Sequence, residues 1–388
     1  MNDVVLLRCS SSDGDAFTLN YCRQFWVRHV TPYSWTLCGE EVPLSFFAQG
    51  AKACGVIAAH ADVILTKDTV AALVGAASSK AWDVLVPCLG GADQKQAPSE
   101  LPFDYVDEEG FCEAVRWCRR RWACRVEPVQ EPDFCVVWLS IEVLHNPLRN
   151  LPWSRLQSAL RAKNLRLGLA RGALAHSFGR YRAGSRLDLL ALWPGPVMSV
   201  LDVGCGEGGF GRELKQRGLV HGHLAGVEPD ERAARQAQAV YDEVHVGPVE
   251  SYFSNRLYDV MVLGDVLEHL KDPAKELRRL RAFLRPSGLV VGSCPNAAHW
   301  SVVHDLVHDR FSYVPAGILC WDHLRFFTAR SLRELLEQAG FYAVRLWPSR
   351  ERPAPHGERF LQSLKPWVER LDHLTVVQWL FTASKAMR

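Results

Sequence analysis

VLDVGCGEGGF, residues 200–210, is the stretch whose reading decides the fold. The apolar run VMSVLDVG leads into it as a strand, and GFGRELKQRG leaves it as a helix closed by Gly218. Between them the glycines let the backbone turn sharply and approach a ligand that Cβ atoms would exclude. Reading outward, HLAGVEP predicts a second strand, DERAARQAQAVY a helix with an acidic first turn, and YDVMVLGD a third strand. AKELRRLRAFLRP then reads as a helix stopped by Pro286, GLVVGSCPN as a strand and SLRELLEQAGF as a capped helix, with AVRLWP and VVQWLFTASKA as a final strand pair. Such alternation predicts an α/β unit, a parallel sheet with helices on both faces.

Gly204, Gly206 and Gly209 also satisfy G-x-G-x-x-G, with Glu228 at the distance expected of a ribose ligand, so a dinucleotide site competes. Asp202, at the strand end, argues against it: a carboxylate there repels a pyrophosphate but orients a cationic amino group. Taken in order, VLDVGCGEGG, GVEPD, YDVMVLGDVLEHLKDP and GLVVGSCPN resemble the class I S-adenosylmethionine (SAM)-dependent methyltransferases, over about residues 155–388. The resemblance implies SAM as cofactor on a Rossmann-like sheet. It places Asp202, Gly204, Cys205, Gly206 and Gly208 about the methionine part of SAM and Glu228 at both ribose hydroxyls, with capping of a helix that begins at Pro229 as the alternative role for Glu228. Pro248 stands where the family often has an Asp near the adenine, which leaves Val249 and Glu250 as the contacts there, with Asp265 a further cofactor-binding candidate.

A second constellation is Asp265, Glu268 and His269 in GDVLEHL, joined by His323 in WDHLRFFT. A helix starting near Asp265 would bring the first three onto one face, and carboxylates with imidazoles suit a divalent metal. The cluster resembles the glutamate and histidine set of the small-RNA 2'-O-methyltransferases, where a metal binds the acceptor hydroxyls, with Asp265 in place of a Glu. It is similar also to sets in methyltransferases encoded among polysaccharide-biosynthesis genes and in quinone O-methylating enzymes. The competing reading is a helix cap at Asp265 and an internally hydrogen-bonded His269. His269, His323 and Asp265 are the catalytic candidates, as bases or through the metal. NAAHWSVVHDLVHDRFSYVPAGILCWDHLRFFT, residues 296–328, is too long for a plain connection and predicts an acceptor-binding lid. Within it His299 and His323 adjoin motifs, whereas His304 and His308 read as surface residues; WDHLRFF with DVLEHL resembles methyltransferases of glycan pathways.

Composition shifts near residue 150. VVLLRC, KACGVIAAHADVILT, WDVLVPCLGG and FCVVWLSIEVL read as buried strands of a smaller α/β domain, with GGADQKQAPSELP as a surface loop. Over about residues 1–145 this part resembles a nucleotide-sugar glycosyltransferase domain of the GT-A type, or a related nucleotidyltransferase. Where that family holds a metal with an acidic pair after a strand, this chain has Thr66-Lys67-Asp68-Thr69, which predicts a noncatalytic domain; Asp62 and Asp68 read as turn caps. Arg155 to Leu187 holds eight basic residues and no acid and reads as a basic helical linker, giving domains at 1–150 and 197–388 joined by 151–196.

With 388 residues, 48% apolar and 23% charged, the chain is core-forming and two domains are expected. A net charge of +2 offers no global field for nucleic acid, and none is expected as a partner. The start lacks a basic stretch before its apolar run, and no segment is long enough to span a bilayer; the basic linker reads as a solvated face, with a phosphate or peripheral lipid contact as the alternative. Twelve cysteines without a C-x-x-C pair predict a reduced, cytoplasmic protein. The function expected is SAM-dependent O-methylation of a sugar, glycan or related small-molecule hydroxyl, with a bifunctional glycosyltransferase-methyltransferase or a noncatalytic SAM-binding scaffold as alternatives.

Overall fold

The computed structural model describes residues 5–9, 15–31, 33–38, 55–79, 81–90, 100–130, 132–140, 142–143, 151–162, 165–178 and 185–385. The body of the predicted GGADQKQAPSELP loop lies outside them. The chain forms two compact units, Met1–Tyr181 and Arg182–Arg388.

The first unit runs β1 (Val5–Cys9), α1 (Ala16–His29), β2 (Trp35–Cys38), β3 (Gly55–His60), β4 (Val63–Ile64), α2 (Lys67–Ala77), β5 (Val84–Gly90), α3 (Glu108–Arg121), β6 (Val126–Pro128), β7 (Val136–Ser140), α4 (Trp153–Ala162) and β8 (Leu167–Ser177). Its sheet has the order β2-β1-β3-β7-β5-β8-β4, with β6 also on β8. β7 runs antiparallel between β3 and β5. The expected helical linker is corrected here. Its first part is α4, but LGLARGALAHS is β8, a strand paired parallel to β5 and antiparallel to β4 and β6. A strand buried on both faces reads as a run without alternation, and its Leu and Ala residues are helix formers, so tertiary burial overrides local propensity. Gly172 marks the close approach: a Cβ there would lie 2.8 Å from the Trp122 carbonyl oxygen. The segment Thr66–Thr69, read as a strand end, is instead a helix start. Thr66 caps α2 by accepting from the Asp68 and Thr69 amides, and Thr69 returns the bond in a capping box.

The second unit runs α5 (Leu187–Leu190), β9 (Val197–Val203), α6 (Gly209–Gln216), β10 (Val220–Glu228), α7 (Glu231–Ala237), β11 (Glu243–Val246), β12 (Tyr258–Gly264), α8 (Pro273–Leu280), β13 (Leu284–Pro295), α9 (Trp300–Val307), α10 (Ala329–Gln338), β14 (Phe341–Arg350), α11 (Pro355–Leu364) and β15 (Val376–Lys385). The sheet order is β11-β10-β9-β12-β13-β15-β14. The strands from β11 to β13 are parallel, and β15 lies antiparallel between β13 and β14. Adjacent residues of β9 serve opposite faces. Leu201 and Val203 pack with Leu277, Leu332 and Leu336, and Val200 packs with Phe210, Leu214 and Leu189. α10 shows why: Leu332 and Leu336, four apart, are fully buried, and Thr328 with Ser331 forms the capping box that starts the helix. Each such leucine contributes about 1.5–3 kcal/mol by burial. Pro286 does not stop a helix, because α8 ends at Leu280 and the proline lies inside β13. The parallel strands β9, β10, β12 and β13 all end on one edge, and the sequence-predicted site residues gather there.

Candidate active site

The loop after β9 has the backbone its glycines permit. Gly204, Gly206 and Gly208 have φ of 74°, 53° and 84°, a region costly for any residue with a Cβ. The amides of Gly204 and Cys205 both donate to the Val227 carbonyl of β10, which fastens the loop to the neighbouring strand. Glu228, only 6% exposed, completes the cradle: Oε2 accepts from the Gly206 amide at 2.9 Å and Oε1 from the Asp230 amide at 3.0 Å. The cap of the next helix is Asp230, which accepts from the Arg232 and Ala233 amides, so α7 begins at Glu231 and not at Pro229, and Glu228 is not its cap. Cys205 belongs to this loop, and its thiol donates to the Gly206 carbonyl at 4.0 Å. Its side chain packs in the core with Tyr241, and burial pushes the thiol pKa up.

Asp202 is buried, and Oδ2 accepts the hydroxyl of Tyr241, whose oxygen in turn accepts from the Gly211 amide. Burial pushes its pKa up to about 7, against the opposing pull of the Tyr241 hydroxyl and the Arg186 charge. Of the expected adenine contacts, Val249 lies in the core and Glu250 is exposed, in the short 3-10 turn that follows Pro248.

Asp265 departs from expectation. It follows β12 with φ 56°, and no α-helix starts there; only Leu267–His269 make a 3-10 turn. Its carboxylate accepts from Arg186 Nη1 at 2.9 Å, from the Ser293 hydroxyl at 2.8 Å and from the Gln378 amide. It therefore does not share a helix face with Glu268 and His269, and it stands outside the set that comes together. That set is Glu268, His269 and His323, each offering a ligand atom within 4.8 Å of the others. Glu268 is 1% exposed and its Oε1 has no hydrogen-bond partner. Burial, and then the neighbouring Asp265 charge, raise its pKa well above the usual carboxylate range. His323 Nδ1 lies 2.9 Å from the Ile318 carbonyl, so it carries the proton and Nε2, buried and unpartnered, presents its lone pair. Burial lowers its pKa. His269 is a third exposed, its Nδ1 3.3 Å from the Asp322 carbonyl and 3.6 Å from the Asp322 carboxylate, and its ring stands edge-on to His323 at 4.8 Å.

The remaining histidines of residues 296–328 lie outside this set. His299 is fully buried, caps α9 and holds Nε2 2.8 Å from Glu351 Oε1. His304 and His308 stack on each other at 4.4 Å at the end of α9. Three contributors escaped the sequence reading. Arg186 grips Asp188 and Asp265 and also reaches Ser293, Tyr241 holds Asp202, and Gln378 reaches Asp265 from β15. The only sequence signal was the Arg-x-Asp spacing of Arg186 and Asp188 before the first strand.

Residues 175–346 match the family model described as a methyltransferase domain. Among curated relatives, the chain is 28% identical over 186 residues to a ubiquinone biosynthesis O-methyltransferase of Azorhizobium caulinodans, covering 46% of this chain and 69% of that protein. It is 33% identical over 145 residues to a probable S-adenosylmethionine-dependent methyltransferase of Mycolicibacterium smegmatis, covering 37% of this chain and 51% of that one. The chain thus spans about two thirds of the first relative and half of the second. Among solved structures, a SAM-dependent methyltransferase from Archaeoglobus fulgidus aligns with 54% of this chain and 98% of its own at TM-score 0.40 and 17% identity. Residues 175–346 thus form the methyltransferase domain of a SAM-dependent enzyme, with SAM as its cofactor.

Proposed function

We propose that the protein methylates a hydroxyl oxygen of a sugar, glycan or related small molecule. The observation that carries this reading is the Glu268, His269 and His323 set, with two buried polar atoms, Glu268 Oε1 and His323 Nε2, left without partners. Buried polar groups are ordinarily satisfied, so a carboxylate oxygen and an imidazole nitrogen open to one point fit a divalent cation. When bound there, such an ion supplies Lewis acidity toward a hydroxyl; SAM supplies the electrophilic methyl group. The chain's residues do the rest. Glu228, already aligned by two backbone amides, presents its remaining lone pairs to the ribose hydroxyls, while Arg186, paired with both Asp188 and Asp265, fixes the carboxylate that follows β12. His269, oriented through Nδ1 by Asp322, keeps Nε2 for the acceptor proton or for the cation. The relative from A. caulinodans, named an O-methyltransferase, supports oxygen as the acceptor atom.

For the first unit the reading is binding or positioning of the acceptor without sugar transfer. Support comes from Asp68, whose carboxylate is ion-paired with Arg119 at the start of α2. A hollow of about 350 Å³ lined by Asp68, Arg116, Arg119, Arg120 and Ala123 is predominantly cationic and suits a phosphate-bearing ligand. Chelation is the test of the metal: activity should fall with chelator and return with a divalent ion. Unchanged activity under chelation with loss in His269→Ala would remove the metal and leave His269 as a base. Sugar release from a nucleotide sugar by the full chain with manganese would replace the noncatalytic reading of the first unit with a bifunctional one.

A further inference from the structure

α6 begins without a side-chain cap. Gly208 stands at the cap position with φ 84° and has nothing to offer the first amides of the helix. The third of those amides, on Gly211, finds its acceptor in the Tyr241 hydroxyl at 3.1 Å. Tyr241 lies beyond the end of α7, its own amide donating to the Ala237 carbonyl at 2.9 Å, and it is 5% exposed. Its ring fills the space that three glycines leave open: a Cβ would come within 2.5 Å of the ring from Gly211, 3.1 Å from Gly226 and 3.3 Å from Gly208. The phenol is thereby locked under the glycine loop. With one lone pair taken by the Gly211 amide, its hydroxyl donates to Asp202 Oδ2.

That bond decides how Asp202 is presented. Oδ2 is committed to Tyr241, while Oδ1 makes no hydrogen bond among the described residues and remains for an ammonium group. Burial raises the Asp202 pKa to about 7, and the Tyr241 hydroxyl is the strongest influence in the other direction, ahead of the Arg186 charge; the Glu228 charge acts with burial. The Cys205 thiol, also facing Asp202, is kept neutral by burial. Without the Tyr241 hydroxyl the carboxyl would hold its proton at neutral pH, and a neutral carboxyl attracts an ammonium weakly.

We infer that Tyr241 is a positioning residue for the amino-acid end of SAM: its one hydroxyl ties the start of α6 to Asp202 and holds that carboxylate for the cofactor's ammonium. The inference rests on the reading of Asp202 as the partner of that ammonium. Glu228, in the same reading, serves the ribose and is aligned independently by the Gly206 and Asp230 amides, so Tyr241 should matter to one end of the cofactor only.

Titration calorimetry of the full chain with two ligands separates this role from mere support of the fold. S-adenosylhomocysteine carries the amino-acid end, and 5'-methylthioadenosine has the same adenine, ribose and sulfur without it. Tyr241→Phe keeps the ring among the glycines and removes only the hydroxyl. It should weaken S-adenosylhomocysteine about tenfold and leave methylthioadenosine within about twofold of wild type. Asp202→Asn should show the same selective loss, and adding Tyr241→Phe to it should cost no more than about twofold further, because the two side chains act as one unit. Equal loss for both ligands in Tyr241→Phe, no loss for either, or losses that add fully in the double variant would overturn the inference. Asp202→Asn leaves Tyr241 in place and carries the test if Tyr241→Phe does not fold: an unselective effect there overturns the inference together with the assigned role of Asp202. A selective Asp202→Asn beside an unselective Tyr241→Phe strikes the inference alone. Failure of wild type to bind S-adenosylhomocysteine would strike the SAM reading itself, and the inference with it.

Discussion

Glu228→Ala should weaken SAM binding by about 1–3 kcal/mol, roughly 5- to 150-fold in Kd. The magnitude follows from the geometry. Each carboxylate oxygen already accepts one backbone amide, from Gly206 at 2.9 Å and from Asp230 at 3.0 Å, which fixes the carboxylate with one lone pair per oxygen for a ribose hydroxyl. Charge-assisted bonds to such an acceptor are each worth about 1.5–3 kcal/mol before the competing water is counted. Truncation also strips two buried amides of their acceptor, so the loop itself should loosen and the thermal midpoint should fall. Glu228→Gln separates the two effects: it keeps the side-chain volume and one acceptor oxygen, and should bind with intermediate affinity. Titration calorimetry with SAM, its demethylated product and NAD provides the reading. Unchanged SAM affinity in a folded Glu228→Ala variant, or tighter binding of NAD than of SAM by wild type, would refute the reasoning.

Three further outcomes are expected. His323→Ala should lower the metal content of purified protein, measured by elemental mass spectrometry, whereas Asp265→Asn should leave it unchanged because that carboxylate is held by Arg186, Ser293 and Gln378. Arg186→Gln should raise the KM for SAM and lower the thermal midpoint, since it leaves Asp188 and Asp265 without their shared cation; equal kinetics and stability would remove Arg186 from the site. Asp202 keeps its proton in the folded state up to about pH 7 and loses it in the unfolded chain near pH 4, so the native state binds more protons across that window. Its contribution to stability is therefore greatest below about pH 4 and falls by a few kcal/mol as pH rises to about 7. Asp202→Asn should flatten that decline in denaturant titrations, and parallel wild-type and variant curves would show that Asp202 does not titrate there.

The methyltransferase half was legible because its information is local. The glycines of residues 204–208, the Glu228 that ends β10 and the GDVLEHL stretch each lie within one strand-to-helix connection, where residue type dictates backbone conformation. What was misread depends on contacts distant in sequence. β8 is a strand because β4, β5 and β6 surround it, which its Leu and Ala content does not announce. Asp265 left its expected partners because Arg186, Ser293 and Gln378 reach it from 79, 28 and 113 residues away. His323 joined Glu268 from the segment 296–328, as its neighbouring motif implied, while His299, favoured equally by the sequence, was drawn to Glu351 and the cap of α9.

Methyl transfer itself is the most direct measurement. The full chain, incubated with SAM bearing a deuterated methyl group and with metabolite and lipid extracts, should release the demethylated cofactor and place the labelled methyl on an acceptor oxygen, as read by mass spectrometry and fragmentation. The labelled product should fail to form with Glu268→Gln or His269→Ala. Label on nitrogen or carbon, or product formation undiminished in both variants, would contradict hydroxyl methylation at the Glu268, His269 and His323 set.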